Sequence, residues 1–158
     1  MVLKLTATNL VGGEFISEFS LNLDPTLNPS SLVFSAPTKT GDFESPSIDL
    51  GADGYKAGGD GYFDIEFGFA TSGANGGAKR FGHNDAVQYT ISGIAGLEAE
   101  SFDFLSVNSQ QGYPTAAHVQ GIGATGSVSA WITVPEPATL SVALAGGLIA
   151  LLRRRRGA

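Results

Sequence analysis

The feature that most constrains the fold is an alternation of apolar and polar residues with a period of two. It is clearest from residue 61 to residue 70, where large apolar residues occupy every second position: Phe63, Ile65, Phe67 and Phe69. Successive side chains of an extended strand point to opposite faces, so this segment predicts a strand with one buried face.

The same period recurs between residues 14 and 23. We expect one apolar side there, with Ser17 as its single exception: Phe15, Phe19, Leu21 and Leu23. The polar residues between them, Glu18, Ser20 and Asn22, are predicted to face the other way. Further strands are predicted at residues 3–8, 31–36, 87–91, 101–107, 116–122 and 126–134.

Turn-forming pairs separate nearly all of these segments, among them Asp53-Gly54, Asp60-Gly61 and Tyr113-Pro114. Short strands at this spacing predict an all-β fold, an antiparallel β-sandwich of jelly-roll or immunoglobulin-like type. A single short hydrophobic helix is predicted to follow it at the C-terminus. The glycine-rich residues 51–61 and 73–77 are predicted to be long loops, and a short helical turn is predicted near residues 95–101.

Charge narrows the classes of partner. The run Arg153 to Arg156 contains four of the nine basic residues, so the rest of the chain carries five basic residues against fifteen acidic ones. An acidic body with no basic stripe argues against nucleic acid and favours divalent cations or neutral sugars. The chain has no cysteine, which excludes disulfides, thiolate metal sites and cysteine nucleophiles.

Carboxylates on a glycine-rich segment are candidate metal ligands. Asp53, Asp60 and Asp64 lie close together in the sequence, and such an oxygen-rich setting suits Ca²⁺. Their spacing matches no EF-hand loop, and Asp-Gly turns are the alternative explanation.

Aromatic residues near loops are candidate ligand contacts. Tyr62, Tyr113 and Trp131 fall at predicted loops or polar strand faces, where a flat ring can stack on a sugar. The alternative is that these rings simply cover one end of the sandwich.

No catalytic motif accompanies these candidates: the sequence contains no nucleophile elbow, zinc-protease motif, P-loop or dinucleotide fingerprint. His83 and His118 have no metal-ligand spacing, and both are interpreted as structural. We therefore expect no enzymatic activity; a carbohydrate-binding module is the second hypothesis and a hydrolase the third.

The composition changes abruptly after residue 133, which divides the chain into a domain at 1–133 and a tail at 134–158. The tail begins with Val134, Pro135, Glu136 and Pro137, continues as an uncharged run at 138–152 and ends in the arginine run 153–156. An uncharged run followed by arginines predicts a membrane-inserted helix with the charges on the cytoplasmic side. A permanent anchor and a buried helix of a soluble fold are the alternatives.

This three-part tail resembles the PEP-CTERM sorting signal of Gram-negative bacteria. The resemblance implies a transient inner-membrane intermediate, recognition and cleavage by an exosortase near the Pro-Glu-Pro element, and delivery to the cell surface or extracellular matrix. It also implies a link to exopolysaccharide and biofilm. The domain resembles small exported proteins that carry this tail and have no assigned activity.

Carriers of such a tail normally begin with a signal peptide. The first fifteen residues have no basic segment followed by an apolar core, and they already resemble a strand. We therefore expect a signal peptide, and one strand with it, to precede the given Met1 in the gene.

Overall fold

The computed structural model describes residues 1–133, and the predicted tail lies outside the described residues. The ten strands are β1 (Val2–Thr6), β2 (Phe15–Leu21), β3 (Val33–Phe34), β4 (Thr38–Thr40), β5 (Ser47–Lys56), β6 (Tyr62–Gly68), β7 (Phe81–Gly82), β8 (Ala86–Ser92), β9 (Thr115–Ile122) and β10 (Val128–Thr133). Three short 3₁₀ turns occur at Pro29–Ser31, Ala74–Gly77 and Ala99–Phe102. The predicted all-β class is confirmed for these residues.

The strands form two antiparallel sheets. In the smaller sheet β8 is central, with β1 on one side and both β3 and β4 on the other. The larger sheet has the order β10-β9-β2-β6-β5, and β7 pairs with the first part of β2. Strand β2 is therefore the centre of the larger sheet.

The two sheets share one hydrophobic core. Phe67 of the larger sheet meets Tyr89 of the smaller one at a centroid distance of 5.8 Å, and both contact the ring of Phe34. Phe69 and Phe81 stack at 4.3 Å in the same core. The predicted burial of Ile65, Phe67 and Phe69 is confirmed.

Strand β2 departs from the predicted alternation at Ser17. Its pairing with β9 shifts register between Ile16 and Glu18, so Ser17 is an extra residue in the strand. As a result Ile16, rather than Phe15, packs against the main core, and the prediction that Phe15 shares a face with Phe19 is wrong. The predicted outward position of Glu18 is confirmed by its pairing beside the inward Phe19 and Phe67.

Two other predictions differ from the structure. Residues 101–107 were expected to form a strand, but they hold the Ala99–Phe102 turn and a single bridge from Val107 to Tyr62. Residues 51–61 were expected to form a loop, but β5 continues to Lys56, with a register shift between Leu50 and Tyr55, and only residues 57–61 form a turn. Gly51 and Gly54 lie within this shift, where residues 51–54 have no paired residue in β6, so the loop-like composition marks a bulge inside the strand.

Residues 1–133 contain no helix long and apolar enough to cross a membrane. The predicted helix at residues 138–152 belongs to the tail and stays a prediction.

Candidate functional site

The face of the larger sheet that points away from the core carries a continuous set of polar side chains. Directly opposed residues of neighbouring strands share a face. One cross-strand row is Glu18, His118 and Trp131, and the next is Ser20, Glu66 and Asp49. We call these six residues, together with the extra residue Ser17, the polar outer face.

Ser17 forms hydrogen-bond contacts beside the row of Glu18, His118 and Trp131. Its hydroxyl lies 3.1 Å from Nδ1 of His118, and its Oγ accepts a hydrogen bond from Nε2 of Gln120 at 3.0 Å. Glu18 Oε1 lies 3.6 Å from the same Nδ1. The bulge thus places a buried hydroxyl next to the histidine, where a regular strand would have no side chain.

His118 stacks on Trp131, with centroids 4.7 Å apart and ring planes inclined by 9°. Gly58, in the turn between β5 and β6, approaches the indole so closely that a Cβ there would lie 2.7 Å from Trp131 Cδ1. One ring face and one edge of the indole are therefore already in contact with protein.

The predicted aromatic contacts are only partly brought together. Tyr113 and Trp131 pack against one small cluster formed by Ala57, Phe63 and Ala116. Tyr62 lies instead under the ammonium of Lys56, 5.8 Å from its ring centroid. These contacts match the alternative in which the aromatic rings cover one end of the domain.

The second row concentrates negative charge. Burial raises the pKa of Glu66, and the nearby carboxylates of Glu18 and Asp49 raise it further. The phenol pKa of Tyr55 is also raised, first by burial and then by Asp49 and Glu66. No lysine or arginine forms an ion pair with this row in the part of the chain that the structure describes.

Ser20 lies between these carboxylates and β9 and is fully buried. Its hydroxyl is the one buried side-chain polar atom without a hydrogen-bond partner among the described residues. A buried hydroxyl without a partner is costly, since its hydration has been lost without replacement.

Of the three candidate Ca²⁺ ligands, Asp64 has its carboxylate engaged by the backbone of the domain. Asp64 uses both carboxylate oxygens on backbone N–H groups, accepting from Asp53 at 2.8 Å and from Leu23 at 2.9 Å. Asp53 has a positive φ of 49°, as the turn explanation expects. Asp60 accepts a hydrogen bond from Ser106 through its backbone carbonyl. No group of three or more acidic or histidine residues in this region is arranged to hold a metal ion.

Sequence reasoning missed most of the polar outer face. Alternation around residue 18 placed Glu18 and Ser20 on the outward side, but their partners lie about a hundred residues further along the chain, on β9. The clue within the sequence was the polar residue at position 17, where the alternation failed.

Comparison with known protein families matches residues 133–156 to the PEP-CTERM protein-sorting motif. The chain carries a PEP-CTERM sorting motif. Comparison with curated proteins finds no match, and neither does comparison with solved structures.

The PEP-CTERM match contains all of the tail residues that the sequence singled out. They are Val134, Pro135, Glu136 and Pro137, followed by Arg153, Arg154, Arg155 and Arg156. The suspected resemblance is confirmed for the tail. The motif implies an exosortase as processing partner and an exported protein sorted to the cell envelope or surface.

Proposed function

We propose that this chain is a non-catalytic protein of the cell surface or extracellular matrix of a Gram-negative bacterium, sorted and cleaved by an exosortase. Its two-sheet domain is a β-sandwich that serves as a structural component of an exopolysaccharide-rich matrix or biofilm. The observation that carries the proposal is the PEP-CTERM motif, which begins at Thr133, the last residue of β10.

The composition of the tail supports transient membrane insertion. Proline at positions 135 and 137 disfavours strand and helix, so we expect Glu136 to be accessible to a processing enzyme. As a helix, residues 138–152 reach about 22 Å, short of a hydrocarbon core of about 30 Å. The arginines that follow remain on the cytoplasmic side of the inner membrane.

The geometry around His118 supports a role without catalysis. Ser17 and Glu18 both approach Nδ1, whereas a nucleophile relay needs the serine and the acid on opposite ring nitrogens. Ser17 is also 1% exposed, so its hydroxyl is out of reach of a substrate. The same geometry offers no support to the hydrolase hypothesis.

The proposal is tested by intact-mass spectrometry of the full chain, produced in a host with its exosortase and in a strain lacking that enzyme. We expect loss of the residues beyond the Pro-Glu-Pro element only where the exosortase is present. Glu136→Ala should block this cleavage, and Glu98→Ala, on the exposed part of the domain, should not. An intact tail in mature protein from the exosortase-containing host would refute the proposal and favour a permanent anchor.

Carbohydrate binding at the polar outer face is the second candidate function. Glu18, Glu66 and Asp49 supply several carboxylate acceptors on one surface, and within residues 1–133 no lysine or arginine forms an ion pair with them. Carboxylates accept hydrogen bonds from sugar hydroxyls, and the neighbouring Trp131 supplies an apolar ring edge. Binding of this kind uses no Ca²⁺, and it gives the domain a direct contact to exopolysaccharide.

A further inference from the structure

Strand β10 forms one edge of the larger sheet. Within residues 1–133 it pairs with β9 and with no second strand. Because Trp131 lies on the outer face, Val128, Ala130 and Ile132 lie on the opposite face. Val128 is 54% exposed and Ile132 is 53% exposed, so the smaller sheet does not cover this margin.

Strands β9 and β10 contain no acidic residue, lysine or arginine of their own. Residues 104–135 contain no aspartate, glutamate, lysine or arginine, while residues 1–103 contain all fourteen acidic residues of the described domain. Two copies of an acidic domain repel each other over most of their surfaces, and the β9–β10 margin is where that repulsion is weakest.

The two edge strands of the larger sheet differ in how well they are protected from pairing with another chain. At the opposite edge, β5 carries Asp49 and Lys56 and has an irregular register between Leu50 and Tyr55. Charges and bulges of this kind prevent a sheet edge from pairing with another chain. The pairing of β10 with β9 shifts register between Val128 and Ser129, residues 129–133 then pair without interruption, and the strand contains neither charge nor proline.

The sequence of β10 is also complementary to itself. If two copies pair antiparallel about an axis at Ala130, Val128 of each copy faces Ile132 of the other on one side of the sheet. Ser129 faces Trp131 on the other side. Cross-strand pairs of large apolar residues stabilise a sheet, and a two-fold interface requires such self-complementarity.

We propose that β10 is the contact between two copies of this chain, which join their larger sheets edge to edge with Ala130 at the two-fold axis. Backbone hydrogen bonds along the strand supply the affinity, and the Val128–Ile132 pairs fix the register. The contact shares Trp131 with the polar outer face and meets the sorting motif at Thr133.

Cysteine cross-linking tests the register, because the chain has no cysteine of its own. Directly opposed residues lie within disulfide range, so full-length Ala130→Cys should form a dimer on mild oxidation. In Val128→Cys the two introduced thiols lie about 14 Å apart along the strands and should not bridge. Val33→Cys is the matched control on the other sheet, since Val33 is 56% exposed.

Light scattering of the full chain in mild detergent tests the contact without oxidation. We expect a concentration-dependent dimer that Val128→Lys abolishes and Val33→Lys retains, with equal melting temperatures for the two variants. The proposal is overturned if the unmodified chain is monomeric at 100 μM, as it would be if its own tail covered β10. It is also overturned if Ala130→Cys cross-links no more than Val33→Cys.

Discussion

The imidazole of His118 and the indole of Trp131 lie almost parallel, inclined by 9° with centroids 4.7 Å apart. The stack joins β9 to β10 on the outer face of the larger sheet. Because Trp131 is the only tryptophan in the chain, its fluorescence reports directly on this pair.

Gly58→Ala should disturb the stack. Gly58 has a φ of 53°, and an added Cβ would lie 2.7 Å from the indole, so both strain and collision oppose a side chain there. We expect a loss of about 1–3 kcal/mol in the free energy of unfolding and a shift in the Trp131 emission spectrum. Gly59→Ala is the matched control, because an added Cβ there meets nothing within 4 Å. Equal melting temperatures for the two variants would contradict the described contact.

Ser17→Ala and Ser20→Ala should have opposite consequences although both serines are buried on β2. Loss of the Ser17 hydroxyl leaves the side-chain amide of Gln120 without its acceptor and removes the hydroxyl contact to His118 Nδ1, which we expect to cost about 1–3 kcal/mol. Removal of the Ser20 hydroxyl leaves no group unpaired and should be neutral or stabilising. Urea unfolding of both variants measures the difference, and similar losses would argue against the described hydrogen bonds.

Glu66→Gln should stabilise the domain at neutral pH and have less effect in acid. The pKa of Glu66 is raised in the folded state by burial and by Glu18 and Asp49, so the unfolded chain loses its proton first as pH rises. The free energy of unfolding therefore falls as the pH rises through the range in which glutamate side chains lose their proton, from about pH 4.3 upward. We expect a higher melting temperature than the unmodified protein at pH 7 and a smaller gain at pH 3. A gain confined to pH 3 would reverse the sign and refute the pKa shift.

Glu66→Gln combined with Asp49→Asn also tests carbohydrate binding. The double variant keeps the shapes of both side chains but removes the charged acceptors, so affinity for the host's exopolysaccharide should fall about tenfold. Glu98→Gln combined with Glu100→Gln, both exposed near the Ala99–Phe102 turn, is the control for charge alone. Pull-down with the purified polysaccharide measures the effect, and equal binding by the two double variants would exclude this face as the site.

Local patterns in the sequence predicted those parts of the structure that depend on neighbouring residues. Alternation identified β6 and the inward Phe67, because a strand buried on one face must repeat every second residue. The order of a Pro-Glu-Pro element, an apolar run and arginines identified the sorting motif, because each of these three parts is defined by residues adjacent in the sequence.

Relationships between distant segments could not be predicted in the same way. Glu18 meets His118 only because β2 pairs with β9, and no local pattern specifies which strands pair. The glycines at residues 51–54 resembled a loop, although Asp64 ties that backbone to β6 through a hydrogen bond to Asp53. Strands β4 and β7 are three and two residues long, too short to show a period.

The bulge at Ser17 adds one residue to β2 without changing which of its neighbours face the core. If Ser17 is skipped, Phe15, Ile16, Glu18 and Phe19 alternate between the two faces as in a regular strand. The larger sheet thereby gains one buried hydroxyl beside His118, while Ile16 and Phe19 stay packed against the main core. One inserted residue can therefore add a polar group to a strand without changing which of its apolar residues face the core.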